Sequence, residues 1–215
     1  MKKVGVFDSG VGGKSVADAI EQSDLDVEVI FMNDAEHVPY GTKSIDQLRL
    51  LSLPIISDLA TKVDVVVIAC NTLSTILLPE IVRSIDVPVI GVTPMLREAV
   101  EKTATGRIIV CATPGTLASN HYRTLKSELA GNTEVFEPDC SDWAELIENN
   151  QWNRQEIDQD ITPYLEKGAD VIVLGCTHYH WISEEIDRLT PKHVTILQPE
   201  EDIIDELRTV LARLP

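Results

Sequence analysis

Hydrophobic positions along this chain fall into short β-branched runs separated by longer amphipathic stretches. The clearest run is Val65-Val66-Val67-Ile68, preceded by Asp64. An unbroken apolar strand of this kind belongs inside a parallel sheet covered on both faces. Lys3 to Phe7, Val27 to Met32, Val87 to Val92, Arg107 to Ala112, Val135-Phe136, Ala169 to Leu174 and Val194 to Leu197 read as further strands. Between them the pattern predicts helices: from a glycine loop to about Gln22, Ser44 to Lys62, Ser74 to Ser84, Pro94 to Lys102, and one after the turn Thr113-Pro114-Gly115-Thr116. Asp142 to Asn149, Arg154 to Lys167, Trp181 to Leu189 and Glu201 to Arg213 complete the set. Pro54 is expected to kink or divide its helix, because the ring removes a backbone hydrogen bond and crowds the preceding turn. Regular alternation of strand and helix places the chain in the α/β class.

One segment is written twice. Ala169-Asp170-Val171-Ile172-Val173-Leu174-Gly175-Cys176-Thr177-His178 matches Val63-Asp64-Val65-Val66-Val67-Ile68-Ala69-Cys70-Asn71-Thr72 without a gap. Lys3 and Arg107, which open corresponding strands, are separated by nearly the same interval as Cys70 and Cys176. The repeat, with right-handed βαβ connections, implies two pseudosymmetric lobes, each a mainly parallel sheet flanked by helices. Residues 1–93 plus about 190–215 would form the first lobe and 94–189 the second. Ligands bind at the carboxyl ends of strands in open α/β sheets, so the two cysteines are expected to face one cleft. The plainer alternative is a pair of inert buried thiols, since free cysteine often serves as a small core hydrophobe.

Composition narrows the partners. The chain has 35 acidic and 18 basic residues, a net charge of −17, which argues against nucleic acid or an anionic membrane as the main partner. An anionic substrate would then rely on backbone N–H groups and hydroxyls. No apolar run reaches membrane-spanning length and no signal peptide precedes the first strand, so a cytoplasmic location is expected. The four cysteines are widely spaced, with no C-x-x-C pair, and a disulfide framework is not expected. Cys111 and Cys140 read as buried spectators, and Trp143, Trp152 and Trp181 as packing in or around the second lobe.

Asp8-Ser9-Gly10-Val11-Gly12-Gly13-Lys14-Ser15 fits the phosphate-loop pattern except at its first position. Asp8 there would aim a carboxylate at a triphosphate. The loop is therefore read either as a plain strand-to-helix turn or as a device presenting Asp8 and Ser9 to the cleft beside helix amides.

The motifs Val6-Phe7-Asp8-Ser9-Gly10-Val11-Gly12-Gly13, Val38-Pro39-Tyr40-Gly41-Thr42, Ala69-Cys70-Asn71-Thr72 and Gly175-Cys176-Thr177-His178-Tyr179 together resemble glutamate racemase, of the cofactor-independent aspartate/glutamate racemases. The similarity runs over essentially the whole chain. It implies that Cys70 and Cys176 are the two bases on opposite faces of the substrate α-carbon, Cys70 acting on D-glutamate and Cys176 on L-glutamate. Asp8 resembles the carboxylate that assists the first thiol and His178 the imidazole that assists the second. Glu148 falls near the family's acidic residue beside the second cysteine. Ser9, Pro39, Tyr40, Gly41, Asn71, Thr72 and Thr177 resemble substrate-contacting positions, as do Thr113 and Thr116 in the second lobe. The resemblance implies no cofactor, no metal, glutamate as small-molecule partner and D-glutamate supply for cell-wall peptidoglycan, and it leaves a homodimer open.

Departures accompany the matches. Asn33-Asp34-Ala35-Glu36-His37 stands where the family usually carries Gly-Asp and an Arg, His180-Trp181 where it usually has Pro-Leu, and Lys14 replaces an apolar residue. The chain is also shorter than most members, chiefly in the second lobe and at the C-terminus.

Two thiols suit the chemistry, because inversion removes a proton from one face of the α-carbon and delivers one to the other. A free thiol ionises at roughly 8.5, so hydrogen bonds and helix amides must ease the process, with Asp8 and His178 as acid–base partners. Amides and hydroxyls around the substrate carboxylate would stabilise developing charge, and nothing in the sequence points to a pyridoxal phosphate lysine. The alternatives are soft-metal ligation by Cys70, Cys176 and His178, a Cys-His hydrolase, an arylmalonate-type decarboxylase, a racemase for aspartate or another amino acid, and a binding homologue with impaired catalysis.

Overall fold

The central strands carry their apolar side chains on both faces, and every residue of Val65–Ile68 and of Val171–Gly175 is buried. Such strands need helices on each side, and the computed structural model, which describes residues 1–129 and 131–214, supplies them. In chain order the first half contains β1 (Lys2–Asp8), α1 (Lys14–Gln22), β2 (Val27–Asn33), α2 (Ile45–Ala60), β3 (Val65–Ile68), α3 (Asn71–Ser84), β4 (Val89–Gly91) and α4 (Leu96–Lys102). The second contains β5 (Arg107–Ala112), α5 (Pro114–Ala118), α6 (Asn120–Leu129), β6 (Glu134–Phe136), α7 (Trp143–Glu148), α8 (Arg154–Leu165), β7 (Val171–Gly175), α9 (Thr177–His180), α10 (Ser183–Leu189), β8 (Thr195–Leu197) and α11 (Glu200–Leu211). Short 3-10 turns cover Val11–Gly13 and Tyr40–Thr42.

The strands form two four-stranded parallel sheets, ordered β2-β1-β3-β4 and β6-β5-β7-β8. The second order repeats the first, as the duplicated segment requires. The likeness reaches single hydrogen bonds. Asp64 N–H donates to the Lys3 carbonyl at 2.8 Å, and Asp170 N–H, at the matching place, to the Arg107 carbonyl at 3.1 Å.

Each sheet is sandwiched between two apolar clusters. Val4, Val6, Val65 and Val67 face α1 and α11 through Val16, Ile20, Ile203 and Leu207, while Phe7, Val66 and Ile68 face α2 and α3. In the second lobe Ile109, Cys111, Ile172 and Leu174 meet α7 to α10, and Ile108, Val110, Val171 and Val173 meet α4 and α6.

Two details differ from the sequence expectation. Pro54 neither ends nor splits α2, which runs unbroken from Ile45 to Ala60 under a Ser44–Gln47 capping box. Pro54 and Leu50, four residues before it, both lie on the exposed face, so the carbonyl that loses its partner is on the solvent side. The return to the first lobe also falls later than residue 190. Thr195–Leu197 pairs with β7 in the second sheet, and only α11 reaches the first core. Cys111 and Cys140 are buried within the second lobe, as are Trp143 and partly Trp152, while Trp181 is exposed.

Candidate active site

The ends of four central strands supply the site. β1 ends at Asp8, β3 leads through Ala69 to Cys70, β5 leads to Thr113 and β7 to Cys176. In each sheet the chain leaves one central strand for an edge and returns on the other side, so these ends flank the switch points where α/β sheets bind ligands. Cys70 and Cys176 each occupy the residue before a helix, with extended backbone, and their neighbours Asn71 and Thr177 open α3 and α9. Both thiols are buried, 4% and 7% exposed.

Hydrogen bonds join the lobes around these thiols. Thr177 Oγ1 donates to Asp8 Oδ2 at 2.9 Å, and Thr72 Oγ1 lies 3.0 Å from Thr113 Oγ1. Glu148 Oε2 accepts from the Val11 N–H at 3.2 Å and lies 2.6 Å from His178 Nε2. Glycines of the first lobe allow this close approach. A Cβ on Gly12 would lie 2.6 Å from the His178 nitrogen, and one on Gly41 would lie 2.6 Å from Thr113 Cβ. At Gly12 the lobes meet backbone to backbone and at Gly41 the backbone meets the Thr113 side chain, so a side chain at either glycine would hold them apart.

The two thiols have unlike surroundings. Cys70 donates toward Ser9 Oγ at 3.7 Å. Burial, then the negative charge of Asp8, pushes its pKa up to about 12, against the Leu73 N–H and the Ser9 hydroxyl. Cys70 therefore holds its proton at neutral pH. Cys176 Sγ lies 3.8 Å from His178 Nδ1. Burial alone would lower the His178 pKa, but hydrogen bonds to Cys176 and Glu148, with the charge of Asp8, lift it to about 10. His178 is thus an imidazolium at neutral pH, able to donate from Nδ1 to a Cys176 thiolate and from Nε2 to Glu148. The His178 hydrogen bond in turn holds the Glu148 carboxyl below its usual range.

Asp8 was expected to serve Cys70, yet its direct partners are the Gly10 N–H at 2.9 Å and Thr177. Burial raises its pKa, opposed by the His178 charge and these donors, and it reaches Cys70 through its field. Thr113 caps α5, its Oγ1 accepting from the Thr116 N–H at 3.3 Å and donating to Thr116 Oγ1 at 3.1 Å. Pro39 follows a cis peptide bond, and Tyr40 OH donates to Asp34 Oδ2 at 2.6 Å. Asn71 is buried, and neither its Oδ1 nor its Nδ2 is paired among the described residues. A buried amide without partners carries a desolvation cost that a polar ligand would remove. Of the sequence-derived candidates, Asp8, Gly41, Thr72, Thr113, Glu148, Thr177 and His178 lie where the two lobes touch.

The sequence marks His37 and His180 only as departures from the family pattern, and the structure gives each of them partners. His37 Nδ1 lies 2.8 Å from Asp34 Oδ1, so an imidazole braces the carboxylate that receives Tyr40. Ser15, His180 and Glu200 form a second group, assembled from three distant segments. Among the described residues no cluster of three His, Cys, Asp or Glu is placed to hold a metal ion, and no helix is long and apolar enough to cross a membrane.

The chain resembles known proteins over most of its length. The profile of the Asp/Glu/Hydantoin racemase family matches residues 14–201. The chain is 35% identical to a glutamate racemase of Clostridium novyi over 204 residues, covering 90% of this chain and 77% of that protein. It is 36% identical to one from Mycobacterium leprae, covering 97% and 78%. The crystal structure of Escherichia coli glutamate racemase in complex with L-glutamate and the activator UDP-MurNAc-Ala superposes with a TM-score of 0.91 at 29% identity, over 99% of this chain and 83% of that one. Glutamate racemase from Aquifex pyrophilus gives 0.75 at 32% identity, over 96% and 83%. With the family profile spanning most of the sequence and the same two-lobed fold in these structures, the chain belongs to the Asp/Glu/Hydantoin racemase family.

Proposed function

We propose that this chain interconverts L- and D-glutamate without a cofactor, by proton transfer between two thiols and the substrate α-carbon. The observation that carries the reading is the pair of matched strand ends, each closing on a buried cysteine where the lobes meet, one thiol beside an imidazolium and the other held protonated. In the L-to-D direction the Cys176 thiolate takes the α-proton. An S–H bond forms as the Cα–H bond breaks, and the electron pair passes to the substrate carbon and carboxylate. The Cys70 thiol then delivers its proton to the opposite face and becomes thiolate. The enzyme is left in the form that takes D-glutamate, and the reverse reaction retraces these steps.

The surrounding groups fit these roles. His178 stabilises charge on Cys176 while Glu148 keeps the imidazole cationic and oriented. When Cys70 ionises, the Leu73 N–H and the Ser9 hydroxyl can donate to it. The first amides of α3, with the hydroxyls of Thr72, Thr113 and Thr116, can take the substrate carboxylate as charge grows on it. The Asn71 amide has an unused donor and acceptor for the amino acid. A chain of net charge −17 then binds an anion through local dipoles rather than through its overall field. The product would supply D-glutamate to peptidoglycan assembly in the cytoplasm.

The test is polarimetric. Circular dichroism should follow loss of signal from L-glutamate and, separately, from D-glutamate, to the same zero end point. Faster turnover of aspartate than of glutamate would assign the enzyme to the aspartate branch, and inactivity on both would leave a binding homologue.

A further inference from the structure

We propose that His180 is a positioning residue that pins the α9 turn, and with it Cys176 and His178, to the first lobe; this rests on the two-thiol reading of the cleft. α9 is only four residues long, yet it carries Thr177, His178 and His180, all buried. Four residues cannot hold an orientation through helical hydrogen bonds alone, so α9 depends on what its side chains reach. Thr177 reaches Asp8 and His178 reaches Glu148. His180 makes the third attachment, away from the reacting atoms. Its Nδ1 lies 2.7 Å from Glu200 Oε1, the first residue of α11, and 3.1 Å from Ser15 Oγ on α1.

The chemistry of this group settles its donors. Burial raises the Glu200 pKa, but the hydrogen bond and charge of His180, a backbone N–H and the Ser15 hydroxyl together outweigh it and hold the carboxyl low. Glu200 is therefore a carboxylate and can only accept. Ser15 Oγ also lies 3.1 Å from the Gly12 carbonyl and donates there. Nδ1 must therefore carry a hydrogen, shared between Glu200 and the Ser15 oxygen. Nε2 is buried with no hydrogen-bond partner among the described residues, so the ring's hydrogen bonding rests on Nδ1. The Ser15–Gly12 bond extends the attachment into the 3-10 turn on which α9 rests, where a Cβ on Gly12 would already touch the His178 nitrogen. α1 and α11 belong to the core of the first lobe through Val16, Ile20, Ile203 and Leu207. His180 thus ties the helix of one base to the scaffold that carries the other.

An offset of about 1 Å in a reacting group can cost on the order of 100-fold in rate, which sets the scale for releasing this tie. His180→Leu should lower kcat about 10-fold or more with little change in KM, and should enlarge the primary isotope effect with α-deuterated L-glutamate. It should also speed site-resolved alkylation of Cys176 by iodoacetamide about 10-fold, because the lobes separate more readily. Alkylation needs no turnover, so it tests the tie even if the enzyme proves inactive on glutamate. His180→Asn places an amide N–H near the Nδ1 position and should restore both readouts, whereas His180→Gln, whose amide overlays Nε2, should not. Ser15→Ala and Glu200→Leu probe the same contacts if the Leu variant does not fold. Alkylation and kcat unchanged in folded His180→Leu, or equal behaviour of the Asn and Gln variants, would overturn the proposal.

Discussion

Glu148→Gln tests the electrostatics of the site directly. The substitution keeps the shape and one acceptor but removes the charge that faces His178 Nε2 at 2.6 Å. His178 stands at about 10 against an ordinary 6.5, and Glu148 shares that rise with Cys176 and Asp8. An opposite charge at this range typically moves a pKa by roughly one to three pH units. The basic limb of the kcat profile, followed by circular dichroism with L-glutamate, should therefore fall by about that much. Imidazole NMR of His178 should report the same displacement. Stability should follow with a definite sign. A raised imidazole pKa contributes stability that is complete below about 6.5 and lost as pH rises through about 10. The depressed Glu148 carboxyl adds the lower bound, because its contribution disappears as pH falls through the carboxylate range. The gap in Tm between wild type and variant should be widest near pH 6 and close toward pH 10. A hydrogen bond to a charged group contributes about 2 kcal/mol, or roughly 4–8 °C for a chain of this size. An unmoved His178 titration in the variant, with the basic limb in place, would refute the assignment of Glu148 as its counter-charge.

Other outcomes are equally specific. Cys70→Ala and Cys176→Ala should each abolish racemisation in both directions, because either change removes the proton carrier on one face, and sustained turnover by either would exclude a two-base mechanism. Gly12→Ala should destabilise the chain and depress kcat, since its Cβ would fall 2.6 Å from the His178 nitrogen; a crystal structure with α9 unmoved would contradict this. Dialysis against EDTA should leave the rate unchanged, and loss of activity restored by zinc would favour metal ligation by Cys70, Cys176 and His178.

What local pattern determines, the chain states openly. β-branched runs longer than one pleat, buried on both sides, specify parallel strands, and the duplicated segment around Cys70 and Cys176 specifies two alike lobes. The matched position of each cysteine follows from that repeat, because the residue after a central strand lies at the mouth of the sheet. Pro54 shows the limit of local rules: a ring that should break a helix is tolerated where the carbonyl it orphans faces solvent. The later return to the first lobe has a related cause, since Thr195–Leu197 is too short to declare its sheet and is assigned by its register with Val171–Val173.

Which side chain serves which was decided only by folding. Asp8 and Thr177 are 169 residues apart, Val11 and Glu148 137, and Ser15 and His180 165. No periodicity in a sequence encodes such pairs. They arise when the two sheets dock, with Gly12 admitting the opposing backbone. The charge states follow from the docking too. Burial and a facing carboxylate hold the proton on Cys70, while Glu148 and Cys176 hold it on His178, so residue types present in the sequence from the start acquire unlike roles because desolvation and charge depend on distances that only the packed lobes create.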